Sequence, residues 1–167
     1  MERAFTVGIL TLSDKGSRGE REDASGPAIR EMLDGQPFEV TQYRIVPDEQ
    51  SLIEDLLRDW SDRLGLDLIL TTGGTGLSPR DVTPDATLAV IDKQVPGIAE
   101  VMRMESLKKT PMGMLSRALA GVRGQTLIIN LPGSPKAVRE NLSVILPALP
   151  HGLEKLKGDM SDCATPG

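Results

Sequence analysis

Short apolar runs alternate with helix-like segments along this 167-residue chain. The sequence predicts strands at Ala4–Leu12, Phe38–Val46 and Leu66–Thr72, because these runs favour strands and end at turn residues. From Glu49 to Gly65, apolar residues recur at helical spacing, which predicts a helix. Strands that alternate with helices predict a mostly parallel sheet with helices on both faces. The expected fold is a three-layer α/β/α sandwich.

The second half of the chain continues this alternation. Helices are expected from Thr83, over Gly97–Lys109 and from Pro135, with Thr83 as a cap, and an earlier helix is expected from Ser25, its candidate cap. An edge strand and then a buried strand are expected on either side of Arg123–Gly124. Pro147 and Pro150 are expected to break the helix before them, and a short last helix follows. We expect one domain over residues 1–157 and a flexible tail over residues 158–167.

The unusual loops all follow predicted strands. In open parallel sheets, ligands bind outside the carboxyl ends of the strands, so these loops are expected at one edge. They are Ser13–Asp14, Pro47–Asp48, Gly73–Asp81 and Leu131–Lys136. The charged segment Lys15–Asp23 is expected to be a loop.

The third of these loops lies in TTGGTGLSPRDVTPDAT, residues 71–87. Gly73, Gly74 and Gly76 carry no Cβ, so successive N–H groups can form a concavity that binds an anion. A tight turn is the alternative interpretation. The glycine spacing fits neither a Walker loop nor a dinucleotide-binding fingerprint.

A second glycine-containing loop occurs in NLPGSPKA, residues 130–137. Ser134 and Pro135 predict a helix that begins directly after a strand, and a helix N-terminus attracts anions. Lys136 in its first turn has two interpretations: it contacts a bound anion, or it points to solvent.

Three aspartates follow predicted strands, and each has a structural and a functional interpretation. Asp48 is either the N-cap of the next helix or a metal ligand. Asp81 is either paired with Arg80 or part of the same metal site, and Asp14 either caps its own loop or lies in that site. Carboxylates beside phosphate-binding loops repel the phosphates unless a cation lies between them. Mg²⁺ suits such a position, because it binds one or two carboxylates together with substrate phosphates.

Composition excludes several other classes of protein. Only 2% of the residues are aromatic and the net charge is −5, which argues against a nucleic-acid partner. One cysteine, Cys163, and one histidine, His151, provide neither a disulfide framework nor a zinc site, and a Ser-His-Asp triad is not indicated. The single cysteine fits a reducing cytosol, and no apolar run is long enough to span a membrane. The methionines Met102, Met104, Met112 and Met114 are expected in the core or at an interface.

Together, the motifs LTLSDKGSRGE, VPDEQ, TTGGTGLSPRDVTPDAT and LPGSPKA resemble the MogA/MoaB-type molybdopterin adenylyltransferases. This family is related to the G domains of gephyrin and plant Cnx proteins. The resemblance covers about residues 5–157, with the motifs in the same order, and the stand-alone MogA type matches most fully. It implies a three-layer α/β fold, a homotrimer and a cytoplasmic protein.

The resemblance also implies a set of site residues. Asp48 and Asp81 match the two acidic positions that hold Mg²⁺ and take part in catalysis. The other matches are substrate-binding positions: Ser13 and Asp14 at the first strand end, Thr72, Gly73, Gly74, Thr75 and Gly76 in the glycine-rich loop, Ser106 and Ser116 in the nucleotide pocket, and Asn130, Pro132, Gly133, Ser134, Pro135 and Lys136 in the second loop.

The reaction implied by this resemblance is adenylyl transfer from Mg-ATP to the terminal phosphate of molybdopterin. The products are adenylyl-molybdopterin and pyrophosphate, and a molybdenum-inserting enzyme then uses the adenylylated pterin. One alternative is a trimeric pterin carrier or scaffold without catalysis, although two metal-binding acids argue against that. Another is molybdenum insertion itself, which related domains in larger proteins perform; from its short length, the chain is expected to lack their extra domains.

Overall fold

The computed structural model describes residues 3–160 of the chain. Its strands are β1 (Phe5–Leu12), β2 (Phe38–Val46), β3 (Leu68–Thr72), β4 (Lys93–Gln94), β5 (Ala120–Arg123) and β6 (Thr126–Leu131). Its α-helices are α1 (Asp14–Ser17), α2 (Ser25–Leu33), α3 (Gln50–Arg58), α4 (Thr83–Val90), α5 (Pro96–Leu107), α6 (Pro135–Ile145) and α7 (Leu149–Leu156). A π-helical turn, Asp59–Arg63, extends α3, and 3₁₀ turns lie at Pro111–Leu115 and Leu146–Ala148.

All of these strands form one sheet in the order β2-β1-β3-β6-β5-β4. β2, β1, β3 and β6 run parallel, whereas β5 is antiparallel to β6 and to β4. The prediction of a mostly parallel sheet is confirmed. The expected edge position of β5 is wrong, because the two-residue strand β4 pairs with its outer side.

The core lies in two layers, one on each face of the sheet. Alternate residues of each strand point to opposite faces, so Leu68 and Leu70 of β3 join one core while Ile69 joins the other. The first core packs against α2, α5, α6 and α7, and the second packs against α3, its π-helical turn and α4. This arrangement is the predicted three-layer α/β/α sandwich.

Several predicted helix ends are wrong in detail. Ser25 does not cap α2; the Asp23 carboxylate accepts hydrogen bonds from the Ser25 and Gly26 N–H groups. Pro150 lies in the first turn of α7 rather than ending a helix, where its missing N–H leaves no hydrogen bond unmade. The expected loop Lys15–Asp23 begins inside α1, because Ser13 Oγ accepts a hydrogen bond from the Gly16 N–H.

The expected flexible tail is only partly within the structure. Gly158, Asp159 and Met160 are exposed beyond α7, and residues 161–167, with Cys163, lie outside the described residues. Over residues 3–160, no helix combines the length and the hydropathy that a membrane span requires.

Candidate active site

A cavity of about 630 Å³ lies at the carboxyl edge of the parallel strands. Each of the four loops that the sequence predicted at this edge contributes to its wall. The predicted site residues among its lining are Ser13, Asp14, Asp48, Gly73, Gly74, Asp81, Gly133, Ser134 and Pro135. The parallel direction of β1, β2, β3 and β6 therefore brings these distant segments together.

Asp14 and Asp48 connect the loops after β1 and β2 through two reciprocal hydrogen bonds. The Asp48 N–H donates to Asp14 Oδ1 at 3.0 Å, and the Asp14 N–H donates to Asp48 Oδ2 at 3.1 Å. The interpretation of Asp48 as the N-cap of α3 is wrong, because Glu49 occupies the cap position without a side-chain hydrogen bond. The Asp48 carboxylate instead faces the cavity beside Asp14.

The carboxylates of this site influence one another. Burial raises the pKa of Asp48, and the negative charges of Asp14 and Asp81 raise it further. The pKa of Asp14 is lowered, chiefly by its hydrogen bonds from the Arg80 guanidinium. Asp48 therefore lies where an added cation would relieve unfavourable charge.

Arg80, in the loop after β3, binds the carboxylate of Asp14. Its Nε and Nη2 donate to the two oxygens of Asp14 at 3.0 and 2.7 Å. The alternative in which Asp81 pairs with Arg80 is therefore wrong: Asp81 Oδ2 accepts from the Ser78 N–H at 3.0 Å. Arg80 joins the loops after β1 and β3, and Asp81 remains in the cavity wall.

The glycine-rich loop has left-handed backbone at two of its glycines. Gly73 has φ +99° and Gly74 has φ +69°. A Cβ on Gly73 would lie 2.5 Å from the Leu12 carbonyl oxygen, and one on Gly74 would collide with Thr83 Oγ1 and lie 3.0 Å from Asp48 Oδ1. The protein's own packing therefore requires both glycines, and their contact with a ligand stays a prediction.

Beneath this loop lies a buried hydroxyl group without a hydrogen-bond partner. Thr83 is fully buried, and its Oγ1 has no partner in the structure. The prediction that Thr83 caps α4 is wrong, since Val82 holds the cap position and no side-chain cap bond forms. Oγ1 and Asp48 Oδ1 flank the same point above Gly74. An unpaired polar atom here is an observation that fits a missing ligand or water.

Hydrogen bonds fix the second glycine-containing loop in place. Ser134 Oγ accepts from the Ala137 N–H and caps α6, as its position predicted. The Ser25 hydroxyl donates to the Gly133 carbonyl, and the Thr72 hydroxyl donates to the Pro132 carbonyl at 2.6 Å. The side chain of Thr72 thus joins the two glycine-containing loops rather than lining the cavity. Lys136 is exposed and lies outside the cavity wall, as its solvent interpretation describes.

Ser106 and Ser116 lie in a second, smaller cavity of about 200 Å³ between α5 and α6. Ser106 Oγ accepts a hydrogen bond from Asn141 Nδ2 at 3.0 Å. Pro132 also lines this cavity, so the loop after β6 borders both cavities. The structure therefore separates the predicted site residues into two neighbouring groups.

Besides the buried Thr72, two further predicted substrate-binding residues that line neither cavity lie inside the protein. Asn130 is fully buried: its Nδ2 donates to the hydroxyls of Thr71 and Thr87, and its Oδ1 accepts from the Leu119 N–H. These bonds use both polar atoms of the Asn130 side chain inside the protein, so we no longer propose Asn130 as a substrate-binding residue. Thr75 is also buried and lines neither cavity; its carbonyl accepts from the Arg117 N–H.

The donor set is compatible with Mg²⁺ but does not form a complete metal site by itself. Within residues 3–160, no group of three or more His, Cys, Asp or Glu side chains is arranged to hold a metal ion. Mg²⁺ usually keeps several waters and takes one or two carboxylates plus substrate phosphates. Asp48 and Asp81, on the wall of one cavity, provide that number of carboxylates.

Sequence reasoning missed Arg117, whose neighbours Ser116 and Ala118 line the smaller cavity. Its guanidinium donates to the Gly76 and Asp81 carbonyls and forms a double hydrogen bond with the Asp85 carboxylate. The only signal in the sequence was its position directly after Ser116, and Arg117 belongs to none of the motifs singled out above.

A parallel α/β sheet with carboxylates and two glycine-containing loops at its carboxyl edge has the arrangement of a ligand-binding α/β domain, in which ligands bind outside the carboxyl ends of the strands. A family described as "Probable molybdopterin binding domain" matches residues 8–151. The chain belongs to this family, which confirms the resemblance seen in its motifs.

Individual relatives agree with this assignment. A molybdopterin adenylyltransferase of Helicobacter pylori strain J99 is 47% identical over 156 residues, which are 92% of this chain and 88% of that protein. The crystal structure of the molybdopterin biosynthesis enzyme MoaB from Thermus thermophilus has a TM-score of 0.88 and 62% identity, and covers 93% of this chain and 98% of its own. A MogA structure has a TM-score of 0.86 and 41% identity, and covers 90% and 99%. A nearer kinship to MogA than to MoaB stays a prediction.

Proposed function

We propose that this protein is a molybdopterin adenylyltransferase that transfers the adenylyl group of Mg-ATP to the terminal phosphate of molybdopterin and releases pyrophosphate. The 47% identity to a relative of that name, over nearly the whole chain, supports the reaction. The observation that carries the proposal is the meeting of Asp14, Asp48 and Asp81 with two glycine-containing loops in one cavity.

Asp48 and Asp81 are the proposed ligands of Mg²⁺. A Mg²⁺ ion held by these two carboxylates would neutralise phosphate charge that they otherwise repel. Asp14 holds the Asp48 backbone through its Oδ1, so the loop after β1 orients the proposed ligand. Ser13 Oγ accepts a hydrogen bond from the Gly16 N–H and so supports the turn that carries Asp14.

The two cavities suit different parts of the substrates. We assign the larger one, with the N-terminus of α6 and the glycine-rich loop, to phosphate groups, because helix N-termini and glycine-rich loops commonly bind anions. The Gly73 N–H donates to the Leu131 carbonyl, so it is not one of the donors assigned to the phosphate. The smaller cavity, with Ser106 and Ser116, is assigned to the nucleotide. Pro132 lines the smaller cavity, whereas Gly133, Ser134 and Pro135 line the larger one. This segment would hold the reacting phosphate between the two cavities, with Lys136 beside it at the surface.

We also propose a cytoplasmic homotrimer with one domain over residues 1–157, which passes its product to a molybdenum-inserting enzyme. Met104, Met112 and Met114 are each more than 60% exposed, whereas Met102 is buried in the core. Exposed apolar side chains clustered over residues 101–115 suit a contact with a second copy of the chain. Light scattering of the purified protein measures the trimer directly.

The deciding experiment measures pyrophosphate release with ATP, Mg²⁺ and molybdopterin. Release that requires all three, and that stops when EDTA removes the metal, is the expected result. Pterin binding without pyrophosphate release would favour the alternative, a pterin carrier or scaffold without catalysis.

A second measurement separates chemistry from binding. Asp81→Asn keeps an oxygen that can accept from the Ser78 N–H but loses the charge. We expect turnover to fall by orders of magnitude while the affinity for molybdopterin largely persists. Equal losses of turnover, pterin affinity and folding would instead make Asp81 a structural residue.

A further inference from the structure

Arg117 is bonded to the glycine-rich loop at three separate points. Its backbone N–H donates to the Thr75 carbonyl at 2.8 Å, its Nε donates to the Gly76 carbonyl at 2.9 Å, and its Nη2 donates to the Asp81 carbonyl. Gly76 and Asp81 bracket the exposed segment Leu77–Arg80. Arg117 therefore holds both ends of that segment.

The carboxylate of Asp85 fixes the direction of this guanidinium. Asp85, in the first turn of α4, accepts from Nη1 and Nη2 at 3.2 and 3.1 Å. When a planar guanidinium donates two hydrogen bonds to one carboxylate, its remaining N–H donors are fixed in direction. Those donors then reach the Gly76 and Asp81 carbonyls, so the ion pair and the loop form one connected unit.

We infer that Arg117 is a positioning residue that sets the conformation of the Gly73–Asp81 loop and thereby places the Asp81 carboxylate in the larger cavity. Asp81 has its carbonyl bound to Arg117 and its Oδ2 bound to the Ser78 N–H within the same segment. A lysine provides no fork that can reach the two carbonyls and the Asp85 carboxylate together.

The position of Arg117 also connects the two cavities. Ser116, the preceding residue, lines the smaller cavity, and the Arg117 side chain holds a loop of the larger one. A change in the backbone at residues 116–117 therefore alters the walls of both cavities. An effect of Arg117 on turnover rests on the proposed adenylyl transfer. Its role in placing the Gly73–Asp81 loop does not depend on that reaction.

Arg123 is a matched control at the other end of β5. Its Nε and Nη2 bind the Asp62 carboxylate at 3.0 and 2.7 Å, and its Nη1 donates to the Val90 carbonyl at the end of α4. Arg117 and Arg123 thus make similar bonds to opposite ends of α4, but within residues 3–160 the side-chain hydrogen bonds of Arg123 go only to Asp62 and Val90, which line neither cavity.

The experiment compares Arg117→Lys with Arg123→Lys by amide hydrogen exchange and by turnover. For Arg117→Lys we expect exchange at the Ser78 and Asp81 amides to rise about tenfold or more, and kcat to fall about 10- to 100-fold with a smaller change in KM. Arg123→Lys is expected to leave both values near those of the unmodified protein.

Two further comparisons keep the inference falsifiable. Asp85→Asn retains the arginine and should give changes of the same kind but smaller, so it replaces Arg117→Lys if that variant does not fold. Loop exchange that is the same in the Arg117 and Arg123 variants would overturn the inference. Hydrogen exchange needs no turnover, so an unmodified protein that releases no pyrophosphate would refute the proposed reaction and leave the test of Arg117 intact.

Discussion

Asp14 and Asp48 each bind the other's backbone, because the carboxylate of either residue accepts a hydrogen bond from the N–H of its partner. Thirty-four residues separate them in the chain, yet the parallel pairing of β1 with β2 brings the two strand ends side by side. The pairing therefore fixes the position of a proposed metal ligand by backbone contacts rather than by side-chain packing alone.

Asp48→Asn separates the charge of this residue from its hydrogen bond. The amide oxygen of asparagine can still accept from the Asp14 N–H, so we expect the midpoint of thermal unfolding to change by only a few degrees. Turnover is expected to fall about 100-fold or more, because a neutral amide is a poor Mg²⁺ ligand. Steady-state kinetics over a Mg²⁺ titration measures this, with the exposed Asp55 changed to asparagine as a control. Unchanged Mg²⁺ dependence would exclude Asp48 as a ligand.

Gly74→Ala should destabilise the protein more than Gly35→Ala does. Both glycines have left-handed backbone, with φ +69° and +73°, so each alanine costs about 1–2 kcal/mol from the dihedral angle. Only at Gly74 does the added Cβ collide with Thr83 Oγ1, whereas nothing lies within 4 Å of a Cβ at Gly35. Overpacking adds about 1–3 kcal/mol. Urea unfolding measures both, and equal losses would mean that the loop adjusts without cost.

Thr83→Val removes the unpartnered hydroxyl and keeps the shape of the side chain. An unsatisfied buried hydroxyl costs roughly 1–3 kcal/mol, so the ligand-free protein should become more stable. Thr87→Val is the matched control: that hydroxyl donates to the Thr83 carbonyl and accepts from Asn130, so its removal should destabilise the protein. If a bound ligand forms a hydrogen bond with the Thr83 hydroxyl, Thr83→Val also weakens the affinity for ATP or molybdopterin, which calorimetry measures. A loss of ligand-free stability in Thr83→Val would show that the hydroxyl has a partner.

The pH dependence of stability should include a contribution from Asp67, at the opposite edge of the sheet. Its carboxylate accepts from the Thr6 N–H and hydroxyl and pairs with Lys157 at 2.6 Å. Burial alone raises the pKa of Asp67, but the Lys157 ammonium and the Thr6 bonds outweigh it and lower the pKa below its ordinary value.

A lowered folded-state pKa stabilises the protein above the unfolded-state value, near 3.8, and this contribution is lost as the pH falls through the folded-state pKa. Asp67→Asn should therefore cost about 1 kcal/mol at pH 7, a modest figure because the Lys157 side chain is 35% exposed. The difference from the unmodified protein should shrink below pH 4. Chemical unfolding from pH 3 to 7 measures it, and Asp59→Asn in an exposed pair is the control. A deficit independent of pH would refute the assignment.

The sequence predicts the sheet and its carboxyl edge well, because both depend on periodicity and on the order of elements. The apolar runs and the turn residues after Leu12, Val46 and Thr72 suffice to place the loops that carry Asp14, Asp48 and Asp81. Local chemistry was harder to predict. Ser25 and Thr83 have the residue types of helix caps, yet tertiary contacts use the first for the Gly133 carbonyl and bury the second.

Asn130 and Arg117 both show that motif position does not predict tertiary contacts. Asn130 follows a buried strand run within a binding motif, but its amide pairs with Thr71 and Thr87 inside the core, where motif position gives no information. Arg117 belongs to no motif, and its role depends on contacts with residues 32 to 41 positions away. Neither arrangement can be read from spacing, because both depend on how distant segments meet.

The pairing of β3 with β6 joins Thr72 to Leu131, so the cavity is completed by residues that are synthesised far apart. Such non-local pairings are slow to form, because the chain must close long loops before any contact compensates for the lost entropy. A nascent chain that has not yet released Pro132–Pro135 from the ribosome lacks one wall of the cavity. Ligand binding is therefore expected only after Pro132–Pro135 have left the ribosome, and a shortened chain that ends before β6 should neither bind nucleotide nor be protected by it from proteolysis.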